Sequence, residues 1–446
     1  MTEHRDAVVV LPGIMGSELI ESATGHVLWG VSDARWYGSA WTSGDALTKL
    51  HVTEDEREGR TGRIRATRTL RFPAFAPVLH GFEPYTKLLQ GVRASAAHPD
   101  AVLEFAYDWR LPVTHAATEL ARAAEAHLRS WRSHPQGSRD ARLTLVAHSM
   151  GGLVAHCFLT ELGGASELRT LITLGTPYYG SVKAAALLST GEGTPLPLPR
   201  RRLRALARTL PGLHELLPSY RCVEETPGVF RRFTPSDAEA LGGDRDLAKL
   251  GFERQERLRT APPLPDLRAV IGVGQPTAQS LRLRDGTAQT YAYVPDGGTR
   301  TDRRGDGTVY RDAAAPAGTR PFALPQTHGA VAQSEEAIAY VASVLTERPL
   351  GPPLGAGEPG LHIPDVLTAG DPCPIEVDQV DNPTAVACRV VDVARNLEIA
   401  RPRLTPRDGR LHTEVPLPGP GLYRVLAKSG GASAVSQLVL VVTPDE

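Results

Sequence analysis

"RLTLVAHSMGGLVAHCFL", residues 142–159, changes its period part-way along. From Leu143 to Ala147 it is a continuous apolar run, the mark of a strand covered on both faces, and from Leu153 onward it reads as a buried helix. Ser149 stands between the two, in a small-x-Ser-x-Gly pattern formed with Ala147 and Gly151. Two readings of Ser149 are open at this point. Serine is a preferred helix N-cap, and small neighbours suit any tight strand-to-helix turn. The same elbow also lifts a nucleophile above the carboxyl end of a sheet.

Further continuous apolar runs occur at 7–11 ("AVVVL"), 101–107 ("AVLEFAY"), 168–174 ("LRTLITL") and 267–273 ("LRAVIGV"). Between them, Tyr85, Leu88, Leu89 and Val92 fall at helical spacing, as do Ala117, Leu120, Ala121, Ala124, Leu128 and Trp131. Strands alternating with helices predict an α/β fold around a parallel sheet. Two stretches, about 17–82 and 180–262, break the alternation and are too long for plain loops, so they are expected to form a cap or lid.

Pro and Gly crowd together at 349–360, directly after the helical pattern "SEEAIAYVASVL", and mark a linker. Beyond it, short β-branched segments separated by turn residues predict an immunoglobulin-like β-sandwich over 361–446. The division expected is a catalytic α/β domain at 1–348, the linker, and the sandwich. Of 446 residues 41% are hydrophobic and 22% charged, and the formal charge is −1, which argues against general nucleic-acid binding. No basic segment followed by a long apolar one opens the chain, so a cytoplasmic location is expected. The four cysteines, Cys157, Cys222, Cys373 and Cys388, form neither a disulfide framework nor a CxxC metal pattern.

A serine attacks a carbonyl when an adjacent histidine takes its proton and a carboxylate orients that histidine, and α/β-hydrolases supply these in the order Ser, Asp or Glu, His. Asp306, in "RRGDGTVYRD", and His328, between a last short strand and a final helix, follow Ser149 in that order. Each has a plain alternative: Asp-Gly is a turn signal in its own right, and His328 is one of 14 histidines. His148 is expected to point away from its neighbour's task, His156 falls inside the next helix, and His362 and His412 lie beyond the linker. The calcium-loop spacing is missing from "DRRGDGTVYRD", and neither metal nor cofactor is expected. The oxyanion donors expected by position are the amide of Met150 and that of Ile14, after the turn at Pro12 and Gly13; a simple Gly-rich turn is the alternative.

Taken together, "LPGIMGSEL" (11–19), "YDWR" (107–110), "AHSMGG" (147–152), "LGTPYYGS" (174–181) and "GDGTV" (305–309) resemble the lecithin:cholesterol acyltransferase family. The resemblance implies an α/β-hydrolase fold, Ser149 as nucleophile, Asp306 as acid, His328 as base, and Ile14 and Met150 as oxyanion donors. It also implies cleavage of a glycerophospholipid acyl ester, with the acyl group passed to an alcohol or to water. The chain departs from the family in three places: Ala147 replaces the usual elbow glycine, 17–82 holds no cysteine to clip a lid, and the sandwich lies outside the family pattern.

Trp29, Trp36 and Trp41 cluster in the first insertion, either as an interfacial lid or as the cap's own core. Leu203, Leu206 and Leu210 share one helical face, with Arg200, Arg201, Arg204 and Arg208 mostly opposite, which suits either contact with anionic lipid at a membrane surface or a solvated cap helix. The function expected is a serine-dependent lipid esterase, phospholipase or acyltransferase acting on a lipid or acyl-ester substrate. The competing expectation is a non-catalytic interaction protein that uses the hydrolase fold as a scaffold and the sandwich to bind a protein partner.

Overall fold

Six strands build the central sheet: β1 (Ala7–Leu11), β2 (Val102–Glu104), β3 (Leu143–His148), β4 (Leu168–Leu174), β5 (Leu267–Gly272) and β6 (Phe322–Leu324). Their order is β6-β5-β4-β3-β1-β2, and every pairing is parallel. The structure is a computed structural model describing residues 5–30, 45–70, 85–191, 200–296, 299–348, 350, 359–380, 384, 386–395, 397–429 and 434–443. The continuous apolar runs have the cause the sequence implied. In β1, Ala7, Val9 and Leu11 enter one core and Val8 and Val10 the other, so neither face is free for polar side chains.

Helices α1 (Thr86–Ser95), α2 (Val113–Ser133), α3 (Met150–Glu161) and α4 (Glu335–Thr346) cover the sheet. On one face Leu120 and Leu128 of α2 and Leu153 and Phe158 of α3 share a core with Leu145 of β3; on the other Leu88 and Leu89 of α1 and Val341 of α4 share one with Val146 and Ile172. This is the α/β-hydrolase architecture. Among the described residues no helix is long and apolar enough to cross a membrane.

The first insertion contains a three-stranded sheet of Ser17–Glu21, Val27–Trp29 and Ile64–Thr69. It is anchored by the "YDWR" turn. Arg110, fully buried, donates to Asp108, to Glu56 of the insertion and to the Leu50 carbonyl, while the Trp109 indole donates to the Ser17 carbonyl at 3.2 Å. Trp29 lies edge-on to Trp109 at 5.3 Å and belongs to the core; Trp36 and Trp41 lie outside the described residues. In the second insertion Leu203, Leu206 and Leu210 are buried in the main core, so the arginine-rich helix keeps no free apolar face. That layer draws in a hairpin beyond residue 262: Ser280–Arg284 and Thr287–Tyr291 extend a sheet begun by Arg221–Thr226.

The C-terminal strands form two sheets around a core of their own, a β-sandwich holding Ile375, Val377, Val390, Val425 and Val439. This unit is set against the carboxyl ends of β5 and β6. Gln326 Nε2 donates to the Ala434 carbonyl at 2.9 Å, Thr327 Oγ1 to that of Ser436 at 3.1 Å, and the Arg304 guanidinium grips both carboxylate oxygens of Asp378 at 3.0 and 2.7 Å.

Candidate active site

Parallel strands place every loop of interest at one end of the sheet. Gly13 and Ile14 follow β1, Ser149 follows β3, Asp306 follows β5 on a long excursion, and His328 follows β6. Ser149 itself has φ +50° and ψ −126°, a conformation L-residues rarely adopt, and its amide is tied to the Leu174 carbonyl at 2.8 Å. Two glycines make the elbow fit. A Cβ on Gly151 would lie 2.4 Å from the Pro12 carbonyl oxygen, and one on Gly13 would lie 2.8 Å from Ser149 Cβ.

Fold closure brings the three expected catalytic side chains into one hydrogen-bonded chain. Ser149 Oγ lies 2.9 Å from His328 Nε2, and His328 Nδ1 lies 2.7 Å from Asp306 Oδ2. The other Asp306 oxygen accepts the amides of Thr308 and Val309 at 2.9 and 2.7 Å, and the His328 amide donates to the Asp306 carbonyl. An ionised carboxylate only accepts, so the imidazole proton sits on Nδ1 and leaves Nε2 free to take the serine proton. No helix cap is made by the Ser149 side chain, which removes the plainer of its two readings.

Of the expected oxyanion donors, Met150 directly follows Ser149, and Ile14 lines the same cleft as Ser149. Met150 opens α3, so its amide has no partner within the helix; among the described residues the Ile14 amide gives its proton to no protein acceptor. Met15 next to it holds φ +62°, so the loop after β1, like the turn at Ser149, carries a residue in the left-handed region.

Two residues of the site were missed from the sequence. Tyr85 read as one more apolar position of a helix, and His148 was expected to have no part. In the structure the Gly13 amide donates to Tyr85 Oη at 2.8 Å, Tyr85 Oη lies 2.8 Å from His148 Nδ1, and His148 Nε2 lies 3.2 Å from the His328 carbonyl. That carbonyl only accepts, so Nε2 carries the proton and Nδ1 accepts from tyrosine. Burial pushes the His148 pKa down to about 3, which keeps the ring neutral and the relay intact. This buried link couples the Gly13–Ile14 loop to the His328 loop. The signal in the sequence was a histidine ending a strand that is otherwise apolar apart from Thr144.

Ser149 and His328 open into a cleft of about 1520 Å³, whose walls include Ala184, Leu187, Leu213 and Leu216 of the second insertion and strands of the C-terminal sandwich. Among the described residues, one group places metal-type ligand atoms within 4.8 Å of one another: His98, Asp100 and His134. His98 and Asp100 precede β2 and His134 precedes β3, so the group stands at the amino end of the sheet, away from Ser149.

Residues 76–239 match the family model of lecithin:cholesterol acyltransferase. The matched segment contains Tyr85, His148, Ser149 and Met150, and leaves Ile14, Asp306 and His328 outside. No curated protein gives a significant match. Among solved structures, a chain of the Tle4-Tli4 complex is similar at 16% identity and TM-score 0.51, with 76% of this chain and 97% of that one covered. Bacillus licheniformis lipase BlEst2 in mature form is similar at 12% identity and TM-score 0.34, with 77% and 94% covered. Its propeptide form covers 98% of this chain and 93% of its own at 11% identity and TM-score 0.32. At such identities the first likeness is one of fold.

Proposed function

We propose that this chain, whose residues 76–239 match the family model of lecithin:cholesterol acyltransferase, is a serine-dependent lipid esterase, phospholipase or acyltransferase working through an acyl-enzyme on Ser149. Ser149 Oγ attacks the ester carbonyl as His328 Nε2 takes its proton. The resulting oxyanion receives the amides of Ile14 and Met150, and His328 then returns the proton to the departing alcohol. Water or a second alcohol, activated by the same nitrogen, releases the acyl group. The observation that carries this reading is the unbroken chain from Ser149 Oγ through His328 to a buried, doubly amide-bonded Asp306. The apolar cleft wall and the family match support a lipid acyl ester, such as a glycerophospholipid, over a small polar one.

A fluorophosphonate probe tests the nucleophile, because it reacts with a serine only when a base activates it. Labelling of Ser149 in the full chain is expected, with none in Ser149→Ala and a steep fall in His328→Ala. Mass spectrometry of products formed from mixed phospholipids and alcohols then separates hydrolysis from acyl transfer. A folded wild-type chain that is neither labelled nor active on any ester would favour the interaction-scaffold reading instead.

A further inference from the structure

The C-terminal sheet containing Gly421–Ser429 and Val435–Val442 has two unlike faces. Tyr423, Val425 and Ala427, with Val439 and Val441 of the neighbouring strand, fill the sandwich core. The alternate residues Leu422, Arg424, Leu426 and Lys428, with Leu438 and Leu440 opposite, line the same cleft as Ser149 and His328. Register places Arg424 between Leu438 on one side and Val391 on the other, with Leu422 and Leu426 along its own strand. Its guanidinium therefore rises from an apolar surround, half-buried.

The other arginines near this cleft have carboxylates. Arg304 holds Asp378, and Arg410 holds Glu376 at 2.7 Å. Among the described residues Arg424 is paired with no carboxylate, and its burial lowers its pKa. A cation that is partly stripped of water and unpaired is costly, and the cost is removed by an anion entering the cleft. Of the acids elsewhere on the lining, Glu376 is engaged by Arg410 and Asp365 by Gln437 at 3.4 Å, while Glu335 and Glu336 stand in the first turn of α4, where the helix dipole favours negative charge. Arg389, on the same wall, faces Glu398 at 3.9 Å, and Lys428, exposed there, adds positive potential at its edge.

We infer that Arg424 is the anion-recognising residue of the cleft: its guanidinium takes the phosphate of the glycerophospholipid-type ester proposed above, whose apolar part lies on the surrounding leucines. This rests on Ser149 being the nucleophile of that cleft. A planar guanidinium meets two phosphate oxygens at once, which gives direction as well as charge. Selection for the anion then resides in the sandwich, outside the segment that matches the family.

Two substrates with the same acyl chains separate this role from a structural one: dihexanoylphosphatidylglycerol below its micelle concentration, and uncharged dihexanoylglycerol. In Arg424→Leu, which keeps the wall apolar, the ratio of kcat/KM for the first over the second is expected to fall about 10- to 100-fold, the value of a lost charged hydrogen bond, with partial recovery in Arg424→Lys. A ratio unchanged within about twofold, whether both rates hold or fall together, overturns the proposal. Binding to inactive Ser149→Ala gives a readout independent of turnover. There, calorimetry is expected to show dihexanoylphosphatidylglycerol bound about tenfold more weakly when Arg424 is also leucine, and inorganic phosphate, which lacks the apolar part, bound far more weakly than the lipid when Arg424 is present. Lipid binding that ignores Arg424 overturns the anion site even if no ester is ever turned over. Phosphate binding that depends on Arg424 without lipid binding would make it a free-anion site and overturn the lipid substrate.

Discussion

At the scale of single residues, the site was legible wherever chemistry depends on residue type and chain order. Ser149, Asp306 and His328 are of the required types, in the required sequence, after segments that read as strands, and their side chains meet at 2.9 and 2.7 Å. Asp306→Asn is expected to leave far-UV circular dichroism unchanged while lowering kcat about 10⁴-fold, the loss known for the corresponding change in a serine protease, because an amide next to His328 Nδ1 favours the wrong tautomer. A near-normal rate would mean another group orients the base. Tyr85 and His148 were not legible in this way. A helix pattern assigns Tyr85 its apolar ring, but nothing in the pattern says that its hydroxyl reaches Gly13 and His148, residues 72 and 63 positions away.

For whole elements, periodicity identified the strands and helices of the sheet because each carries its own record of burial. It was weaker where an element is short or its partners are distant. The run 101–107 folds as a strand only over Val102–Glu104, since β2 is an edge strand paired along three residues of β1. The "YDWR" turn that follows gave no hint of its structural role: Arg110 is the buried pin between the sheet and the first insertion. Burial works against the charge of its partner Glu56, yet hydrogen bonds from Arg110, Thr53 and Arg63 hold the Glu56 pKa at about 2. Arg110→Leu would strand Asp108 and Glu56 as buried carboxylates, and urea unfolding is expected to show a loss of about 3–5 kcal/mol. Arg129→Ala, which breaks the exposed pair with Glu125 on α2, is expected to change stability by less than about 1 kcal/mol in the same assay. Equal losses would show that burial is not what gives the pin its weight.

For the molecule as a whole, neutral His148 makes stability depend on pH in a stated direction. Its pKa is about 3 when folded against 6.5 as a free group, so between those values the unfolded chain takes up a proton that the folded chain refuses, and stability falls as pH falls. The term is absent above about pH 7 and reaches at most about 1.4 kcal/mol per pH unit inside the window. Unfolding free energies at pH 7, 6, 5 and 4 are expected to decline less steeply in His148→Gln than in the wild type, by about one proton; parallel curves would show that His148 does not resist protonation. The arrangement of the two lobes could not be read from the chain. A Pro and Gly linker predicts separate cores, and the sandwich does have its own, but Gln326, Thr327 and Arg304 bind it to the loops that hold the base and the acid. The sequence by itself determined what is local or periodic: a doubly covered parallel sheet, a serine at a strand-to-helix elbow, a carboxylate and a histidine in hydrolase order, and a β-rich C-terminal segment. Only the tertiary structure decided which of 14 histidines face the serine, how the Gly13 loop is tied to the His328 loop, and that the outer face of a C-terminal sheet walls the cleft beside Ser149. Pattern records whether a residue is buried, because burial is felt one side chain at a time; which groups meet across 63 or 179 positions is set by the packing of whole layers, and no local pattern carries it.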